Sequence, residues 1–525
     1  MIEFSTLSTF QLACLVLAVG MLIWDTVEVG RNDAANLVNA VFGARVLRRQ
    51  TAVVVAGLAV VVGAVLSSDV IDTARKEIFD PVGLGVLDDA LRAALAIYCS
   101  VYIVDTVLLY SYSAFGMPIS TTACLVFELL GAALAIQAST VNWGKAGTVM
   151  AGIVCSIVLT GFAAFLIQRA VRGAIRDRST HLATLLLHGG WVGGGLAAGL
   201  SYFLLLKGMK NVSWVQQISS WLSLLNDTVE MGVGGALLLL FMWGVFAILI
   251  HVLLVVYRRR AARLLFPVLS VLGMIAMAFA FGQNDLANCA SPGLAAFTLL
   301  REQNVAIGTE VDIAWWMLLA CGLLLFVGMT TKNAGRVTKA AVSTGSVSDH
   351  VELWAPRWCV RMATRLLEFR GRAPALAPRA AVTAAGKTMH YDPLRACVIM
   401  SVSASVIATA SSRGLPVSTT YVAFAAVVAT GMADRIFQRG DAALKMGRAI
   451  WVVTSWVLSA LIAVAATALV ATAVYRLAIW GMVGCIAVNL LVRRVLKKRA
   501  DRQARRVVEE AYERAHPEEF ALEHE

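Results

Sequence analysis

From residue 10 to about residue 492 the sequence returns repeatedly to apolar runs long enough to cross a bilayer. A helix needs about 20 mostly apolar residues for that, because each residue rises about 1.5 Å. In hydrocarbon the backbone must satisfy its own hydrogen bonds, which a helix does within one segment. The runs therefore predict an all-α polytopic membrane protein with about twelve transmembrane elements. Composition agrees, since 59% of the 525 residues are hydrophobic and only 15% are charged. That excludes a soluble enzyme, a disordered chain and, despite the net charge of +12, a nucleic-acid binder. The nine cysteines are scattered without a C-x-x-C pair, so they read as small packing residues rather than disulfides or a zinc site. The first residues lack a basic n-region, and no cleaved signal peptide is expected.

Lys and Arg collect on the cytoplasmic side of membrane proteins. By that rule Arg45–Arg49, Arg169–Arg178, Arg258–Arg263, Lys332–Arg395, Arg435–Arg448 and Arg493–Arg506 are cytoplasmic. The acidic or neutral loops Asp69–Asp89, Ala138–Lys145, Lys207–Glu230 and Arg301–Asp312 are external, and the spans between alternate in direction. Residues 331–395 carry eleven Lys/Arg against four Asp/Glu, and their centre, Trp354–Arg372, fits an interfacial helix on anionic lipid. The glycine-rich run Gly189–Gly199 permits close helix contact. Arg493–Glu525 reads as a solvated cytoplasmic tail.

Two motifs are each written twice, in the same order. Gly30-Arg-Asn-Asp33-Ala-Ala-Asn36 recurs as Gly282-Gln-Asn-Asp285-Leu-Ala-Asn288, and Gly116-Met-Pro-Ile-Ser-Thr-Thr122 recurs as Gly414-Leu-Pro-Val-Ser-Thr-Thr420. The first Pro-x-Ser-Thr-Thr begins an outward span and the second an inward one, which predicts an inverted-topology repeat, the usual architecture of secondary transporters. Residues 1–170 then form the first repeat, 171–263 connecting helices, 264–432 the second repeat with its basic loop, 433–492 C-terminal helices and 493–525 the tail. The inversion also places the N-terminus outside. Phe10–Ala44 and Leu264–Leu300 are each too long for one straight span, and Gly30 and Gly282 fall near their middles. Broken or re-entrant helices are expected there, with Pro118 and Pro416 as first-turn prolines of half-helices.

These side chains suit a site for an anion held together with a small cation. Asn32, Asp33, Asn36, Asn284, Asp285 and Asn288 offer hard oxygen ligands. Ser120, Thr121, Thr122, Ser418, Thr419 and Thr420 offer hydroxyls at helix N-termini, whose free N–H groups and dipole attract phosphate-like anions. An Asp at membrane depth costs at least about 2.5–3.5 kcal/mol unless paired or hydrated, so two in matching positions point to function. Asp105 and Glu128 lie near the first Ser-Thr-Thr and offer a cation ligand or a proton relay.

At these residues the chain resembles the inorganic phosphate transporter (PiT) family, whose halves each carry a Gly-x-Asn-Asp-x-x-Asn and a Pro-x-Ser-Thr-Thr motif. The resemblance implies secondary symport of inorganic phosphate with Na⁺ or H⁺, no other cofactor, a homodimer and residence in the plasma (inner) membrane. Carried over by motif position, Asn32, Asp33, Asn284 and Asp285 would hold the coupling cation. Ser120, Thr121, Thr122, Ser418, Thr419, Thr420, Asn36 and Asn288 would hold phosphate. The chain departs from the pattern at Arg31 and Gln283, where the family commonly has Ala, and at Ala123 and Tyr421, where His often follows Ser-Thr-Thr. Arg31 is expected either to grip the oxyanion bidentately or to pair internally with Asp25, Glu28 or Asp33. Because the family includes sulfate permeases, sulfate is the alternative substrate. An intramembrane enzyme would need more than two carboxylates, and no His-Glu-x-x-His, Gly-x-Ser-x-Gly or nucleotide loop is present. An anion channel would need a continuous pore, which duplicated broken helices do not favour.

Overall fold

The computed structural model describes residues 7–67, 79, 81–87, 89–207, 209, 213–218, 220–221, 234–303, 314–348, 350–369, 389–438 and 440–515. The expected loops at 69–89, 207–230 and 301–312 fall largely outside the described residues, as do Glu230, residues 370–388 and the acidic end of the tail. Among the described residues there are fourteen α-helices. They are α1 (Thr9–Gly43), α2 (Arg49–Val65), α3 (Ala90–Ala114), α4 (Thr121–Gln137), α5 (Trp143–Ile175), α6 (Leu182–Ser201) and α7 (Gly234–Glu302). Then come α8 (Trp315–Met329), α9 (Lys332–Thr344), α10 (Arg357–Phe369), α11 (Pro393–Ser411), α12 (Thr419–Ala433), α13 (Ala442–Leu477) and α14 (Ile479–Ala515). In α7 one residue, Arg258, leaves helical geometry (φ 44°, ψ −118°) and divides it into arms 234–257 and 259–302.

Eight of these helices are long and apolar enough to cross a membrane, or nine if the bent pair α8 and α9 counts as one span, while α2 and α12 are shorter apolar helices. The protein is an all-helical integral membrane protein. Side chains on α5, the first arm of α7 and α13 stay exposed though apolar, among them Phe162, Ile248, Val256, Leu461 and Leu469, as a lipid-facing surface requires. Inside that ring, the latter half of α1 and the second arm of α7 are almost wholly buried.

The expected break at the Asn-Asp motifs is absent. Helix α1 runs unbroken through Gly30, and the second arm of α7 through Gly282. These glycines instead let backbones touch. A Cβ on Gly30 would stand 2.0 Å from the Leu325 carbonyl oxygen, and one on Gly328 2.1 Å from that of Val27. The same reciprocal contact joins α7 to α2, where a Cβ on Gly282 would stand 2.3 Å from the Val60 oxygen and one on Gly63 2.1 Å from that of Phe279. Small residues at such crossings are how membrane helices gain packing without a hydrophobic drive. The glycine run in α6 does likewise, with a Cβ on Gly194 falling 2.6 Å from the Ala247 nitrogen.

Irregular backbone lies instead at the other motif pair. Helix α3 ends in a Schellman turn, with Gly116 at φ 65°, its N–H on Ser113 O and the Met117 N–H on Tyr112 O. Helix α11 ends in the same way, with Gly414 at φ 66°, its N–H on Ser411 O and the Leu415 N–H on Ala410 O. After each glycine a short extended segment leads to an N-cap serine, Ser120 or Ser418, whose Oγ accepts from Ala123 N or Tyr421 N. Pro118 and Pro416 therefore stand two residues before the N-caps, outside the helices rather than in their first turns. Their fixed φ suits the extended approach.

The stretch expected to lie on lipid contains a helix, α10, with Cys359 and Ala363 buried and Trp358, Met362 and Phe369 exposed. The basic tail is less free than expected. Helix α14 returns to the core, where Asn489 donates to Ile103 O at 2.6 Å and Arg493 pairs with Glu28.

Candidate functional site: two carboxylates between facing helix N-termini

Each Asn-Asp motif meets the hydroxyl motif of its own half through one asparagine. Asn32 Nδ2 donates to Ile119 O at 2.6 Å while the Ile119 N–H donates to Asn32 Oδ1 at 3.3 Å. Asn284 Nδ2 donates to Val417 O at 2.7 Å while the Val417 N–H donates to Asn284 Oδ1 at 3.2 Å. An amide that both donates to and accepts from one residue's backbone replaces the partners that irregular backbone lacks in a membrane interior. Asn32 and Asn284, expected as cation ligands, thus act first as clamps on the chain entering α4 and α12.

The two halves then cross over. Thr122 Oγ1 donates to Val417 O at 3.1 Å, and Thr420 Oγ1 lies the same distance from Ile119 O while its proton turns to the nearer Asp33. The N-termini of α4 and α12 are therefore tied to each other. A first helical turn leaves N–H groups without intrahelical acceptors, and here two such turns with their serine caps meet in one buried place.

The carboxylates sit at that meeting. Asp33 Oδ1 accepts from Asn36 Nδ2 at 2.7 Å, Thr420 Oγ1 at 2.7 Å and Asn32 Nδ2 at 3.0 Å. Asp285 Oδ1 accepts from Asn288 Nδ2 at 2.7 Å and Thr121 Oγ1 at 3.1 Å. Thr121 Oγ1 also lies 3.5 Å from Asp33 Oδ2, so one hydroxyl stands between both aspartates and can give its proton to either. Asn36 reaches Thr420 Oγ1, and Asn288 reaches Thr121 and Thr122, all at 3.0 Å. Both aspartates are fully buried. Asp285 Oδ2 and Asn288 Oδ1 accept no hydrogen bond among the described residues, which leaves oxygens for a cation. Ser120 and Ser418 are occupied as N-caps, and Thr419 is the buried first residue of α12.

Arg31 is not brought to this site. Its Nη1 lies 2.7 and 2.6 Å from the two Glu28 carboxylate oxygens, and its Nε donates to Thr331 Oγ1 at 3.3 Å. Arg493 completes the cluster, pairing with the same Glu28 and lying over the rings of Tyr110 and Trp24 at 4.3 and 4.5 Å. The internal ion pair, not the oxyanion grip, is what Arg31 makes. On an unbroken helix residues 31 and 33 point about 200° apart.

Two further buried arginines support the site, and no spacing in the sequence marked them. Arg448 donates to Gly116 O at 2.8 Å and to Trp354 O at 3.0 Å, anchoring the turn before the first hydroxyl motif. Arg395 donates to Gly345 O at 2.6 Å, Val427 O at 2.8 Å and Thr430 Oγ1 at 3.0 Å, bracing α12.

The chain is similar to known proteins over most of its length. The model of the phosphate transporter family matches residues 29–346 and 373–493. A Haemophilus influenzae protein named "Putative phosphate permease" is 24% identical, covering 81% of this chain and 89% of that one. A Pyrococcus abyssi protein of like name is also 24% identical, covering 77% of this chain and 85% of its own. The solved structure of a sodium-dependent phosphate transporter shares the fold, with a TM-score of 0.62 at 20% identity over 87% of this chain and 98% of that chain. Both motif pairs lie inside the matched residues: the chain belongs to the phosphate transporter family, and it is a membrane transporter rather than an enzyme.

Proposed function

We propose that this protein imports inorganic phosphate by symport with Na⁺ or H⁺, binding the anion at the facing N-termini of α4 and α12. The observation that carries the reading is the placement of Asp33 and Asp285 on one shared hydroxyl beneath those N-termini. Helix N-termini favour an anion, but two buried carboxylates repel one. Inorganic phosphate, a mixture of mono- and dianion at neutral pH, can enter only when positive charge arrives on the carboxylates, and the cation in turn is retained best when the anion is present. Obligatory co-transport follows from that mutual requirement. Asp33, Asp285 and the amides of Asn36 and Asn288 take the cation or proton; Thr121, Thr122, Thr419 and Thr420, with the free N–H groups of the two first turns, take phosphate. Ser120 and Ser418 hold those turns in shape.

The near-equivalence of the two halves' hydrogen bonds supports an inverted-repeat transporter in which the site opens alternately to either side. The basic connections support a cytoplasmic C-terminus and an external N-terminus. The test is uptake of labelled phosphate into proteoliposomes, with Na⁺ and pH gradients imposed separately. Uphill accumulation driven by one gradient, and its loss in Asp33→Asn and Asp285→Asn, is the expected result. Accumulation driven by neither gradient would overturn symport, and sulfate uptake that excess phosphate fails to compete with would reassign the substrate.

A further inference from the structure

A second set of buried carboxylates lies outside the site just described. Asp105 on α3 and Cys124 and Glu128 on α4 each offer a ligand atom, and these atoms lie within 4.8 Å of one another. Cys124 and Glu128 stand four residues apart and share a helix face. Asp25 on α1 faces Asp105. It lies eight residues, about 12 Å of helix, before Asp33; Cys124 follows Thr122 by two residues, so the cluster borders the Asp33–Asp285 site while sharing none of its residues. All four residues are at most 2% exposed.

Their hydrogen bonding is unlike that of Asp33 and Asp285. Among the described residues, both oxygens of Asp25, both of Glu128 and Oδ1 of Asp105 find no donor apart from the Asp25–Asp105 carboxyl pair itself. Arg493, the cation nearest Asp25 in effect, is engaged by Glu28. Carboxylates buried in this way keep their charge only where a cation compensates it; otherwise each must hold a proton.

The second half shows that the fold does not need them. At the positions corresponding by motif register stand Met277 for Asp25, Ser403 for Asp105, Val422 for Cys124 and Ala426 for Glu128, all fully buried. The same helices pack with a neutral set in one half and three acids with a thiol in the other. Stability alone gives no reason for that difference.

We propose that Asp105, Cys124 and Glu128, with Asp25 beside them, form a binding site for a divalent cation of the Zn²⁺ or Co²⁺ type, confined to the first half and separate from the Asp33–Asp285 site. Three carboxylates call for more than one positive charge. One sulfur beside carboxylate oxygens is a donor set that borderline-soft divalent ions accept and that a hard monovalent ion gains little from.

The test uses the full-length protein in detergent, with Zn²⁺ and Co²⁺ as probes. Wild type should bind one more equivalent of Zn²⁺ than the variant carrying the second half's residues, Asp25→Met, Asp105→Ser, Cys124→Val and Glu128→Ala. Bound Co²⁺ should show a thiolate-to-metal charge-transfer band in the near ultraviolet that Cys124→Val alone abolishes, a readout available even if the fourfold variant fails to fold. Asp33→Asn and Asp285→Asn should retain the equivalent and the band. Equal Zn²⁺ equivalents in wild type and a folded fourfold variant would overturn the proposal. So would a Co²⁺ spectrum unchanged by Cys124→Val, displacement of the metal by Na⁺ at equal concentration, or loss of the equivalent in Asp33→Asn.

Discussion

Replacing Asn32 by Ala tests whether the asparagine clamps shape the anion site. The substitution removes the acceptor of the Ile119 N–H, the 2.6 Å donor to Ile119 O and the 3.0 Å donor to Asp33. Thr420 Oγ1 lies 3.1 Å from Ile119 O but gives its one proton to the nearer Asp33 at 2.7 Å, so the variant strands the Ile119 N–H and leaves its carbonyl without a firm donor. A buried unsatisfied N–H costs about 1–3 kcal/mol, and losing the donor to the carbonyl about 1 kcal/mol more. The sum, about 2–4 kcal/mol, corresponds to roughly 30- to 700-fold in an equilibrium. Because Ile119 immediately precedes Ser120, the loss should fall on phosphate kcat/KM as well as on thermal stability. Asn284→Ala should act similarly, since its pair of bonds to Val417 is the same within 0.1 Å (2.7 and 3.2 Å against 2.6 and 3.3 Å). The measurements are initial phosphate uptake into proteoliposomes over a range of concentrations, and thermal unfolding in detergent. If both variants keep kcat/KM within roughly threefold of wild type and unfold at the same temperature, the clamps do not position the site.

Gly282→Ala should lower the unfolding temperature, because its Cβ would meet the Val60 carbonyl at 2.3 Å and backbone cannot rotate aside; the expected cost is about 1–3 kcal/mol or more. Arg31→Ala should leave the KM for phosphate unchanged while reducing thermal stability, since Arg31 serves Glu28 and not the anion; a large rise in KM alone would return Arg31 to the site. His390 joins the segment before α11 to the end of α1, its N–H donating to Gly43 O at 3.0 Å. Burial, with Arg45 and Lys445 nearby, pushes its pKa down to about 4. The unfolded chain takes up the proton near pH 6.5 and the folded one does not, so stability is full above that pH and falls as pH drops toward 4. The loss between pH 7 and 5 is about 2 kcal/mol at most, and His390→Gln should flatten that part of the stability profile.

The length of the apolar runs and the doubled motifs are enough to identify a helical membrane protein and to name the residues that meet at Asp33 and Asp285. Both signals are local: a span must be about 20 residues long wherever it packs, and a motif of seven residues carries its own side chains. Which atoms those side chains touch was decided by tertiary structure. Thr420 donates to Asp33 across 387 residues, and Arg493 pairs with Glu28 across 465; no spacing rule reaches that far. The glycines of the Asn-Asp motifs also illustrate the limit. A glycine inside a long apolar run fits either a helix break or a close crossing, and only the opposing helix, with its carbonyl where a Cβ would be, selects the crossing. Once α1 is continuous, Arg31 must face away from Asp33, and the irregular backbone moves to Gly116–Ser120 and Gly414–Ser418. The sequence by itself determined which groups the protein would bury; the packing of helices against one another determined which faces they turned, because a helix's side-chain directions become fixed in space only when a neighbour sets its rotation.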